Sequence, residues 1–164
     1  MDIFKMPRME RSEFDMLIED EYICRIAFKG DKHPYIAPFL YVYDGRFMYF
    51  LSTKYGKKLQ HFKQNSFVTV EVENYSPDLS HFSFVTIPGQ LMEEDNPDTR
   101  MAVRKMFVEL IKTKCISLNV LSALGHYPNE PIEALLIEGR SVVWKLVGVK
   151  LNEILGLKNS NNIS

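Results

Sequence analysis

Between Leu51 and Phe62 the chain reads LSTKYGKKLQHF. An apolar run ends, two hydroxyl residues follow, then Gly56, then two adjacent lysines at what reads as the start of a helix. Lysines suit that position poorly, because each costs a few tenths of a kcal/mol, and up to ~1 kcal/mol, against the positive end of the helix dipole. An anion between them reverses the sign. A phosphate there would receive Lys57 and Lys58, the free amides of the first turn and the hydroxyls of Ser52 and Thr53. Each charge-assisted hydrogen bond contributes ~1.5–3 kcal/mol. Gly56 lets the backbone come close. The same residues also read as a solvated basic turn. Neither GxxxxGKS nor GxxxxGKT occurs, so a P-loop nucleotide is not expected.

A flat aromatic ligand suits two further features. Ile36-Ala37-Pro38-Phe39-Leu40-Tyr41 lies on the strand expected to pair with the one leading to Ser52. Pro38 donates nothing to a ladder and marks an edge, a bulge or a contact point. Its neighbours then have backbone groups free for the polar edge of a ring; an ordinary edge strand is the other reading. Trp144 sits on a late strand and either covers such a ring or packs the core, as most of the 11 Phe and 8 Tyr must. His33, His61, His81 and His126 show no metal-ligand spacing and are expected in loops or on the surface. Glu71 and Glu73 alternate with apolar residues and read as a solvated face. Cys24, among apolar strand residues, reads as an inert buried thiol.

The elements that must position these residues are mostly strands. Ser12-Glu13-Phe14-Asp15 reads as a capping box opening a helix near 12–20. Tyr22 to Lys29 reads as a strand. Asp44-Gly45 joins PYIAPFLYVY to RFMYFLS as a hairpin. Leu59 and Phe62 belong to a helix ended by Asn65. Phe67 to Asn74 alternates with period two, and Phe82 to Glu93 reads as a strand broken at Pro88-Gly89. Asn96 caps a helix with Pro97 at its first position and Val103, Phe107, Leu110 and Ile111 on its buried stripe. A short helical piece ends at Gly125. EALLIEG and SVVWKLVGV, from Glu133 to Leu151, read as one or two strands. Six antiparallel strands with an apolar interior predict a mainly β fold, a barrel carrying α-helices. One domain is expected over residues 1–164, with a frayed tail from 159.

Composition narrows the partners. Twenty basic and 21 acidic residues give a net charge of −1, which argues against a general nucleic-acid binder. No run of 18 apolar residues exists, so no membrane span is expected. The charged opening MDIFKMPRMERSEFD lacks a signal-peptide core, and Cys24 and Cys115 stand far apart. A reduced, cytoplasmic protein is expected.

PYIAPFLYVYDGRFMYFLSTKYGKK resembles the central region of the pyridoxamine 5′-phosphate oxidase-like FMN-binding split-barrel superfamily, nearest its nitroimidazole-resistance branch. The opening MPRMERSEFDMLIEDEYICRIAF is similar to that branch, and EILGLK resembles the family's terminal hydrophobic-Gly-Lys signature. The resemblance spans about residues 6–158 and is most specific in the middle. It implies a six-stranded antiparallel split barrel and a homodimer with FMN at the subunit interface. Ile36, Ala37, Pro38, Phe39 and Tyr41 would run beside the isoalloxazine, largely through backbone. Leu51 would touch the flavin, and Ser52, Lys57 and Lys58 would hold the phosphate.

Two departures bear on activity. The nitroimidazole-resistance branch often has a His where this chain has Leu51. True pyridoxamine phosphate oxidases carry Arg-x-His near the C-terminus, whereas Arg140 is followed by Ser141-Val142. Neither activity is expected. What remains is electron transfer from a reduced nicotinamide or deazaflavin to a small acceptor, with no side-chain acid or base required. The alternative is an FMN carrier or flavin sensor without turnover. A heme-handling relative finds no His or Cys in an axial-ligand context.

Overall fold

Sequence alternation becomes the inside and outside of a barrel. The structure, a computed structural model, describes residues 1–159. Its strands are β1 Ile23–Phe28, β2 Tyr35–Tyr43, β3 Met48–Thr53, β4 Phe67–Tyr75, β5 Phe82–Glu93, β6 Ser141–Val147 and β7 Leu155–Lys158, with helices α1 Arg11–Asp20, α2 Lys57–Gln64 and α3 Pro97–Thr113. The strand order is β4-β1-β2-β3-β6-β5-β7, and β4 also pairs with β5. Six antiparallel strands therefore close on themselves and β7 adds a seventh along β5. Inward residues form one core: Cys24, Ile26 and Phe28 on β1, Ala37, Phe39 and Tyr41 on β2, Val68, Val70 and Val72 on β4, with Phe50 and Trp144. The period-two reading of β4 holds from Phe67 to Glu73 and ends at Asn74, which is exposed.

A second apolar layer lies outside the barrel. Val42, Tyr49, Leu51 and Val143 face outward and are covered by Val103, Phe107, Val108 and Ile111 of α3 and by Leu121, Leu124 and Leu135 of the segments that follow it. The side chain of Asn96 accepts a hydrogen bond from Thr99 N at 3.0 Å, with Pro97 in the first turn, as its residue types require. Gly125 ends the next piece, a 3₁₀ segment over Leu118–Leu124, at φ 85°.

Several elements differ from the sequence reading. The cap of α1 is Glu10, which exchanges bonds with Glu13, so the box begins two residues before Ser12. EALLIEG forms no strand: Ile132–Leu136 is a 3₁₀ turn opened by Pro131 and packed beneath α3. β5 is not broken at Pro88-Gly89. β4 pairs with it from Phe82 to Gln90. On its other edge β7 takes Ser83–Thr86 and β6 takes Gln90–Glu93, so Pro88 falls in the gap where no N–H is needed. Gly89 lies so close to β6 that a Cβ would stand 2.8 Å from Leu146. Asn159 is not frayed, because it accepts from Phe82 N and donates to Ser80 O. The rest of the expected tail, 160–164, lies outside the described residues.

The Tyr41 hydroxyl, buried in the core, donates to Ile18 O at 2.7 Å and ties β2 to the end of α1. Replacing Tyr41 by Phe leaves that carbonyl without its donor and is expected to lower the unfolding free energy by ~1–2 kcal/mol in urea denaturation. A change under ~0.3 kcal/mol would show the bond to be idle.

Candidate functional site

β2 and β3 pair over only three positions, Tyr41–Phe50, Val42–Tyr49 and Tyr43–Met48. Beyond these they diverge. Tyr35–Leu40 of β2 pairs with β1 alone, and Leu51–Thr53 of β3 pairs with β6. One edge of β2 therefore has backbone groups without a strand partner through Ile36, Pro38 and Leu40. The strand alternates there, with Ile36 and Pro38 exposed and Ala37, Phe39 and Tyr41 buried. The proline does not break the strand; it sits within it, opposite Arg25.

α2 closes the wedge. Its N-cap is Gly56 at φ 93°, a conformation that favours glycine, and no side chain caps its first amides. Phe62 packs on Trp144 at 4.7 Å between ring centroids, and His61 stacks on Tyr35 at 4.9 Å. Lys57 is exposed. Lys58 is partly buried, with its ammonium 4.7 Å from the Phe39 ring centroid. Burial holds Lys58 below the ordinary lysine range. Among the described residues no carboxylate pairs with either lysine. The unpartnered buried Nδ1 of His61 and Nε1 of Trp144 lie in the same aromatic cluster under α2.

The expected FMN residues thus fall into two groups. Lys57, Lys58 and the first-turn amides lie together at the start of α2, and Ile36 and Pro38 lie on the unpaired stretch of β2. The rest point elsewhere. The Ser52 hydroxyl donates to Thr53 O at 3.0 Å, and that of Thr53 to Tyr55 O at 2.9 Å. Leu51 is buried under the outer helical layer, and the Trp144 side chain is wholly enclosed in the core. Ala37, Phe39 and Tyr41 turn their side chains inward.

Other residues also differ from their sequence reading. His126 is buried, not a surface histidine; its Nδ1 meets Glu130 Oε2 at 2.9 Å, Glu130 pairs with Arg140, and His126 Nε2 has no partner. The bonds from Arg140 and then His126 hold the Glu130 carboxyl below its usual range. Glu71 is not wholly solvated: burial, then Glu73 nearby, pushes its carboxyl upward despite Arg25. Arg104 on α3 is buried and was not singled out from sequence, although it falls on the stripe of Val103, Phe107, Val108 and Ile111. Cys24 is buried as expected, and desolvation pushes its thiol upward. The described residues contain no group of three His, Cys, Asp or Glu suited to a metal ion. None of their helices is long and apolar enough to cross a membrane.

The sequence matches the pyridoxamine 5′-phosphate oxidase family over residues 10–123, from the start of α1 through α3 to the 3₁₀ segment beyond it. The chain belongs to that family. No curated protein matches it. Solved structures share the fold at low identity. A FAD-binding protein from Mesorhizobium loti is 16% identical, covers 96% of this chain and 100% of its own, and has a TM-score of 0.68. A FAD and heme binding protein from Mycobacterium smegmatis is 12% identical over 94% of this chain and 74% of its own, with a TM-score of 0.64. A NimC/NimA family protein from Clostridium acetobutylicum is 15% identical over 94% of this chain and 87% of its own, with a TM-score of 0.56. In this oxidase-family barrel the wedge beside β2, floored by aromatic residues and bordered by the two lysines, is the candidate site.

An ammonium half-withdrawn from water without a counter-charge opposes folding. Its cost is present at neutral pH and is relieved as pH climbs from the lowered folded value toward 10.5. Lys58→Met is therefore expected to leave the unliganded protein as stable as the parent or up to ~1 kcal/mol more stable, while exposed Lys57→Met changes it by under ~0.5 kcal/mol. Urea denaturation of both variants checks this; a loss above ~1 kcal/mol in Lys58→Met would mean that the contact with Phe39 is structural.

Proposed function

We propose that the chain is an FMN-binding flavoprotein that works as an oxidoreductase, passing electrons from a reduced nicotinamide or deazaflavin to a small acceptor. The observation that carries this reading is Lys58: a partly buried ammonium beside an uncapped helix N-terminus, with no carboxylate to pair with. Lys57 and Lys58 neutralise the terminal phosphate, and the amides of the first turn of α2 donate to it. Gly56 keeps the approach free of a side chain. The unpaired edge of β2 offers donors and acceptors to the polar rim of the ring, and Ile36 and Pro38 cover it. FMN, when bound, supplies hydride acceptance and electron release. The chain's part is to hold, orient and shield. Oxidation of pyridoxamine phosphate is not proposed, because Arg140 lacks the following histidine and is engaged by Glu130. The exposed apolar residues Ile23, Ile36 and Phe67 on β1, β2 and β4 support a second copy as the partner over this face.

Titration of purified protein with FMN and riboflavin tests the reading. Lys57→Ala with Lys58→Ala is expected to weaken FMN ~100-fold and riboflavin by under ~3-fold; equal losses would remove the phosphate assignment. An anion favours charged Lys58, so binding takes up a proton above that lysine's lowered value. FMN affinity is then expected to fall through the alkaline range, and Lys58→Arg to abolish the fall. Bound flavin that neither NADH, NADPH nor a reduced deazaflavin reduces in stopped flow would make the protein a flavin carrier or sensor.

A further inference from the structure

A separate cavity of about 210 Å³ lies on the outer-layer side of the β3–β6 ladder. Its lining includes Lys54, Arg100, Arg104, Glu94, Glu138 and Ser141. Arg104 is the unusual member. It is 1% exposed, yet its hydrogen bonds go to neutral acceptors: Nη1 to Leu135 O at 3.0 Å and Ser141 Oγ at 2.8 Å, Nη2 to Ser141 O at 2.8 Å. Its Nε has no partner. A buried guanidinium without a counter-ion is a costly arrangement. Two of the three lining carboxylates are engaged elsewhere: Glu138 with Arg100 at 2.8 Å and Glu94 with Lys145 at 3.6 Å. Lys54, Arg104 and Glu93 make no ion pair among the described residues.

We propose that this cavity is a binding site for a small monocarboxylate, held between the Arg104 guanidinium and the Lys54 ammonium. Glu138 behaves as the chain's own stand-in. Its carboxyl is held below its usual range first by the bond from Arg100, then by the nearby charges of Arg100, Arg104 and Lys54. The cluster thus already favours one carboxylate at the rim. A single negative charge suits it better than two, because Glu93, Glu94 and Glu138 repel a dianion. At roughly 30 Å³ per water-sized group the volume takes about seven non-hydrogen atoms, which suits a short-chain acid. Val143, on the outer face of β6, supplies apolar wall for its tail.

The site does not rest on the flavin reading, and its test needs no flavin. Sodium propionate is titrated into the full chain by calorimetry at constant ionic strength, with inorganic phosphate as the comparison. Saturable binding in the low-millimolar range, about 1–10 mM, is expected, weaker for phosphate. Glu138→Gln, which removes the competing carboxylate, tightens propionate about fivefold, and Lys54→Met weakens it about tenfold. Both residues lie at the rim and leave the Arg104 bonds intact, so both variants keep the fold. No saturation at about 50 mM in parent and Glu138→Gln, an unchanged constant in Lys54→Met, or tighter phosphate than propionate would each overturn the assignment.

Discussion

The three residue pairs that join β2 to β3 set the geometry of everything near the wedge. Past Tyr41 and Phe50 the two strands part, while on their other edges β2 stays paired with β1 and β3 with β6. A ladder that ends early leaves polar backbone at an edge, and such groups need water, a ligand or another chain. The turn after Thr53 then leads into α2, which lies across the opening. Phe62 reaches the aromatic core, and that contact fixes where the first turn of α2 falls. Lys58 is consequently held over Phe39, on a surface made of rings instead of carboxylates. Its missing counter-charge follows from strand pairing rather than from chance among surface residues.

The same strand end carries a second uncompensated cation. Thr53 pairs with Ser141, and Ser141 receives two of the hydrogen bonds of Arg104. Gly125 packs where a Cβ would stand 3.7 Å from Thr53 Cγ2. One residue pair thus anchors the loop before α2, the buried guanidinium and the turn before His126. Proteins tolerate buried charge where a ligand completes it, at a cost to the unliganded fold. Lys58 on the wedge side and Arg104 on the outer-layer side are both cations with no ion pair among the described residues, and the β3–β6 ladder lies between them.

How far this was legible in the sequence depended on whether local chemistry or distant packing decided the outcome. The Asp44-Gly45 hairpin, the Asn96-Pro97 start of α3 and the valines of β4 are local signals, and each holds in the fold. The basic loop was legible as a possible anion site because the wrong charge at a helix start is itself a signal. The partners of Ser52 and Thr53 were not, since a hydroxyl's choice between carbonyl and ligand depends on loop geometry. Pro88-Gly89 misled as a break because a strand can change partners on one edge while remaining paired on the other. EALLIEG has strand-forming residues, but Pro131 and the space beneath α3 turned it into a 3₁₀ segment. Arg104 left a readable trace, a charge on an apolar stripe; its burial depends on Ser141, 37 residues away.

Leu51 shows most directly how the outer layer limits the chemistry. The resemblance sets a histidine at this position in related chains, just before the phosphate loop. Here the side chain is enclosed with Leu121 and Leu124 beneath α3 and the segment after it. An imidazole in that place would bury two ring nitrogens among leucines, and an unpaired buried polar group costs ~1–3 kcal/mol in proteins. Leucine is what a covered position requires, so its presence reports the packing above β3 before it reports any loss of activity. The open side is the wedge, where β2 presents backbone and the lysines present charge.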